Sequence, residues 1–189
     1  MTNENAEKLS KMLKKNFGEE LRNLAELGTS VEAGMFICGG KGIKALEPTK
    51  TGKITLGSKE ELFSPKGIPE DCGDDFVLGE IHTHVAETRV GEADERSSQL
   101  SVKDLFWAHQ SGKNFTCAIR KGKMMCADLT KLNQPEYQRT QKENEIAKKL
   151  HNVWSEGFSY DRRNQEPPKT WFKKAESVVK AIPQHEIAI

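Results

Sequence analysis

Residues 76–84 read Phe76-Val77-Leu78-Gly79-Glu80-Ile81-His82-Thr83-His84, an apolar run that turns polar at its end. A short apolar run ending in polar residues suits a strand. Side chains alternate faces along a strand, so His82 and His84 project to one side and Thr83 to the other. Two imidazoles on one face can bind a transition metal together. By itself the pattern is a weak signal, because H-x-H occurs by chance and surface histidines are common.

Upstream, Leu9, Met12, Leu13, Phe17, Leu21 and Leu24 recur at three- and four-residue steps, which predicts an amphipathic helix over 5–27 with Gly28 as its stop. Ser30 to Gly39 forms a short apolar strand pattern bounded by glycines, with Glu32 near its mouth. Residues 40–73 are rich in Gly, Pro, Lys and Glu, consistent with a short hairpin and long loops.

Downstream, residues 86–100 form a polar stretch containing Glu87, Glu92, Asp94 and Glu95. Residues 101–110 suit a helix closed by Ser111-Gly112. Residues 114–120 and 123–129 suit two strands joined by Lys121-Gly122, a two-residue connection that sets Cys117 opposite Cys126. Residues 136–156 suit a charged helix with Ile146, Leu150, Val153 and Trp154 on one face. A polar linker, 161–168, leads to a last helix over 170–182, striped by Trp171, Phe172, Ala175, Val178 and Val179. Trp154 and Trp171 read as core anchors.

The composition fits one compact domain, or one domain with helical appendages: 189 residues, 35% hydrophobic and 30% charged. Mean hydropathy is −0.68. The 29 Lys and Arg nearly balance the 28 Asp and Glu. A formal charge of +1 gives no electrostatic ground for nucleic-acid or membrane-surface binding. No apolar run approaches the ~20 residues of a membrane span. The charged opening stretch lacks the apolar core of a secretory signal, so a cytoplasmic protein is expected. Cys38, Cys72, Cys117 and Cys126 make no C-x-x-C pair and no zinc-finger spacing. In a reducing compartment they are expected to be reduced and mostly buried, with Cys117 and Cys126 a pair of small hydrophobes in preference to a disulfide.

Two further elements carry candidate chemistry. Ser101-Val102-Lys103-Asp104 has the spacing of a capping box, which adds roughly 1 kcal/mol to a helix. Alternatively Asp104 is a third metal ligand and Ser101 a hydrogen-bond donor. Glu32 reads either as an exposed strand end or as a general base over a metal-bound water.

In combination and order, Glu32, then His82-Thr83-His84, then Ser101-x-x-Asp104, the chain resembles the JAMM motif of the MPN-domain metalloproteases. Glu32 with Gly34 and Gly39 is similar to the family's E-x-x-G-x-x-x-G strand with one residue of slack. Gly79 and the helix after Asp104 also match. Roughly residues 4–129 are covered. The resemblance implies an MPN fold, an α/β arrangement of a mixed, curved sheet flanked by helices. It implies a catalytic domain over 1–130, leaving 131–189 as a helical C-terminal extension.

By the same resemblance His82, His84 and Asp104 ligate Zn²⁺ and leave a fourth position for water, the open pattern of a catalytic zinc. Glu32 is the general base and Ser101 the donor to the oxyanion. The implied activity is hydrolysis of an isopeptide or peptide bond at the C-terminus of ubiquitin or a ubiquitin-like modifier. A small amide substrate, a non-catalytic scaffold and a metal-binding protein without catalysis are the alternatives. The C-terminal helices suit packing on the domain, self-association or partner docking.

The chain departs from the family at Val85, where Pro is usual. The 16 residues between His84 and Ser101 are about twice the family's spacer, which makes Glu92 or Asp94 a rival third ligand. A zinc deaminase is excluded: Glu80 precedes the histidines instead of following them, and no P-C-x-x-C is present.

Overall fold

The computed structural model describes residues 3–39, 48–57, 72–73, 76–85 and 100–189. The expected polar loop with Glu87, Glu92, Asp94 and Glu95, and much of the 40–73 stretch, lie outside the described residues.

The chain opens with α1 (Glu4–Leu27) and continues into β1 (Ala33–Gly39), followed by two short strands, β2 (Lys50–Thr51) and β3 (Thr55–Leu56). Next come β4 (Phe76–Thr83), α2 (Val102–Gln110), β5 (Phe115–Arg120) and β6 (Lys123–Asp128). After a 3-10 turn at Glu136–Gln138 lie α3 (Gln141–Arg162), α4 (Lys169–Ala181) and β7 (Gln184–Ala188). The expected α/β class with a mixed sheet flanked by helices is what the structure shows. The sheet runs β2-β1-β4-β5-β6-β7, with β3 also on β1. β4 and β5 are parallel, and the other pairings are antiparallel.

Alternation along the strands divides the core in two. Met35, Ile37, Ile81, Phe115, Cys117, Ile119, Met124 and Cys126 pack with the Leu9–Leu24 stripe of α1. Ala118 and Ala127 face the other way and pack with α2, α3 and α4 through Leu105, Phe106, Leu150 and Val178. Residues on both sides of position 130 share this second core. The last two helices therefore pack on the sheet that holds β4, and Phe106 of α2 stacks on Trp154 of α3 at 4.0 Å between ring centres. Trp171 is half-buried and donates its indole N–H to the Val153 carbonyl, as an anchor between α3 and α4 does. The C-terminal segment is not purely helical, because β7 pairs with β6 along the sheet's edge. No helix among the described residues is long and apolar enough to cross a membrane.

The expectation of reduced thiols is corrected: Cys117 is bonded to Cys126 and Cys38 to Cys72. The hairpin turn explains the first pair. Lys121 and Gly122 both take left-handed φ, 51° and 75°, as a two-residue hairpin turn requires. The resulting register sets Cys117 against Cys126 with Cα atoms 4.1 Å apart. The second pair joins the end of β1 to a residue 34 positions later. For Cys117 and Cys126 only the assumed reducing compartment argues against a bond, whereas nothing in the sequence pairs Cys38 with Cys72. Intact mass measured without reductant should fall two hydrogens short of the reduced chain for each disulfide. Replacing Cys38 and Cys72 together by Ala should lower the unfolding free energy in urea by about 3–4 kcal/mol, from the loop entropy restored to the unfolded chain.

Candidate metal centre

The βαβ crossover explains why residues far apart in sequence meet. A helix that joins two parallel strands starts beside the carboxyl end of the first strand, the usual place for a ligand site in such sheets. His82 and His84 lie at the carboxyl end of β4, and Asp104 lies in the first turn of α2.

The three side chains converge. His82 Nε2 and His84 Nε2 are 3.1 Å apart. His82 Nε2 is 3.3 Å from Asp104 Oδ1, and His84 Nε2 is 3.2 Å from Asp104 Oδ2. A tetrahedral ion held at zinc distances keeps its ligand atoms about 3.3–3.4 Å apart, so the trio fits one face of such a tetrahedron. Among the described residues these three alone form a His/Cys/Asp/Glu group able to hold a metal ion. The donor set, two imidazoles and a carboxylate, suits Zn²⁺ among other divalent transition metals.

The capping-box reading of Ser101-x-x-Asp104 is what the structure shows, and it leaves Asp104 beside the imidazoles. Ser101 Oγ accepts from the Asp104 N–H at 3.1 Å, and Asp104 Oδ2 accepts from the Ser101 N–H at 2.9 Å. The capping box aims the carboxylate at the imidazoles. The rival ligands Glu92 and Asp94 lie outside the described residues.

Glu32 immediately precedes β1 and is buried. Gly34 pairs with His82, so by the same antiparallel count Glu32 stands level with His84. Its charge reaches His82. The five residues singled out in the sequence are thus at one end of β4, with His82 and Asp104 buried and His84 more open.

No protein-family model, curated protein or solved structure matches the chain.

Two neighbours of the site escaped the sequence reading. Glu80 lies two residues before His82 on the same face, is buried, and accepts from Thr116 Oγ1 at 3.3 Å. Alternation along β4 was the signal that could have found it. Lys113 lies two residues before β5; burial pushes its ammonium pKa down against the pull of Glu80, and its Nζ lies 5.5 Å from the Phe36 ring centre. Gly79 leaves room for the Phe115 ring, which a Cβ there would strike at 2.6 Å.

The electrostatics favour a cation between the ligands. Burial alone would lower the His82 pKa, but the Asp104 carboxylate, helped by Glu80 and Glu32, outweighs it and lifts the pKa to about 9. For Asp104, burial works upward and is overcome by His82 and His84, which hold its carboxyl well below the usual range. In the metal-free fold a proton on His82 therefore supplies the positive charge.

That proton stabilises the metal-free fold fully below the ordinary value of 6.5, and the contribution fades as pH rises through about 9. The urea midpoint of chelator-treated protein should fall across this window. Zn²⁺ uptake at pH 7 should release a proton, read by calorimetry in two buffers of different ionisation enthalpy. Asp104→Asn should abolish stoichiometric zinc by elemental analysis. Zinc retained by that variant would move the third ligand elsewhere.

Proposed function

We propose that this chain is a zinc-dependent hydrolase of the JAMM type on an MPN fold, cleaving an isopeptide or peptide bond at the C-terminus of ubiquitin or a ubiquitin-like modifier. The observation that carries the chemistry is the meeting of His82, His84 and Asp104 at ligand spacing, with buried Glu32 level with His84. The substrate class rests on the motif resemblance.

His82, His84 and Asp104 would hold the ion. Zn²⁺ in such a site supplies Lewis acidity, bringing the pKa of a water toward ~7 and polarising a carbonyl. Glu32 takes one proton of the attacking water and hands it to the departing amine nitrogen, so that the C–N bond breaks to a neutral amine and a carboxylic acid, whose remaining proton, the water's second, is then lost to solvent. Ser101 accepts the Asp104 N–H through its oxygen, which leaves its own hydroxyl proton to donate to the oxyanion. The amino end of α2 adds a positive dipole end beside the same developing charge. Asp104, fixed by the Ser101 N–H, keeps the imidazoles from turning away.

Zinc-loaded protein and its Glu32→Gln variant, assayed on fusions to the C-terminus of ubiquitin or a ubiquitin-like protein, test this reading. The variant should keep one zinc per chain and lose about 10²–10⁴-fold in turnover, the usual contribution of a general base. Full turnover in the variant would remove Glu32 from the mechanism. No cleavage of any fusion by the zinc-loaded wild type would overturn the hydrolase.

A further inference from the structure

Thr83 stands between the two histidines and takes no part in the steps above. Its side chain points to the opposite face of the sheet and is 1% exposed. Its Oγ1 accepts a hydrogen bond from the Ala33 N–H at 2.9 Å, wholly inside the protein. Ala33 is the residue that follows Glu32.

The placement is specific. The backbone pairing of β1 with β4 runs from Gly39 and Phe76 up to Gly34 and His82. One step further, at Ala33 and Thr83, a side-chain hydroxyl receives the amide. On its other side the same backbone is held by the Gly57 N–H, which donates to the Glu32 carbonyl at 2.6 Å. The amino-terminal helix presses the hydroxyl into place. Gly28, which closes α1, packs so tightly on Thr83 that a Cβ there would overlap the threonine side chain.

We infer that Thr83 is a positioning residue: its hydroxyl fixes the Ala33 amide and so holds the Glu32 carboxylate level with His84, beside the metal ligands. The consequence for turnover rests on Glu32 acting as the base; the hydrogen bond and its effect on the metal's surroundings do not. Valine fills nearly the space of threonine but cannot accept the amide, so Thr83→Val removes the bond with little change of volume. Serine keeps the acceptor.

In Thr83→Val, exchange of the Ala33 amide with solvent deuterium should quicken at least about 10-fold, zinc affinity should stay within about 2-fold, and KM should hold while kcat falls about 10–100-fold, the scale of a small misplacement of a catalytic group. Thr83→Ser should restore kcat. Thr83→Val added to Glu32→Gln should cost nothing further. In the cobalt-loaded protein, Thr83→Val and Glu32→Gln should change the visible spectrum in the same sense, and Thr83→Ser should match wild type. If Thr83→Val does not fold, Thr83→Ala takes its place. Unchanged cobalt spectrum and kcat despite faster Ala33 exchange would overturn the inference, and so would loss of zinc in step with loss of kcat. An inactive wild type defeats the hydrolase reading alone, because the exchange rate and the cobalt spectrum still decide the role of Thr83.

Discussion

The Asp104 carboxylate is the point on which the rest of this structure turns. It closes the amino end of α2 by accepting the Ser101 N–H and lies against both imidazoles. A buried carboxylate is costly unless it is paired and hydrogen-bonded. Here the helix end supplies an N–H and a favourable dipole, and the imidazoles supply the counter-charge once one of them carries a proton or a cation. The helix cap and the partner of both imidazoles are therefore one carboxylate. The carboxylate has enough lone pairs for both tasks, and the first task sets the direction of the second.

α2 must in turn be held still for this to work. Its inner face, Val102, Leu105, Phe106 and Ala108, is buried in the core shared with α3 and α4. Phe106 stacks on Trp154, and Trp107 meets the same indole edge-on at 5.5 Å. Residues 141–181 thus buttress the helix that carries Asp104. On the other face of the sheet, α1 buries the Cys117–Cys126 bond and ends against Thr83. One layer supports Asp104 while the opposite layer supports the strand ends beside His82 and Glu32.

Much of this was legible because the signals are local. The period of α1, the His82-x-His84 alternation, the Ser101–Asp104 spacing and the Lys121-Gly122 turn each fix structure within a few residues. Other features depend on distant partners. Gln184–Ala188 carries little apolar alternation, and it is a strand because β6 leaves an edge for it to join. The Cys38–Cys72 bond spans 34 positions, which no local pattern reports. The helix read as ending near 156 continues to Arg162, since Ser159, Tyr160 and Asp161 offer no backbone break. The break comes at Asn164, whose φ of 52° is left-handed. Glu80 was overlooked because it was weighed by its order relative to the histidines and not by the face it occupies.

Burial is uneven across the trio. The His82 and Asp104 side chains retain 6% and 8% of their exposure, whereas His84 retains 20%. Ser101 is exposed at the amino end of α2. Glu32 stands level with His84, just before the start of the neighbouring strand. Water therefore screens the His82–Asp104 pair least, and that pair is where charge on the cluster is felt most strongly.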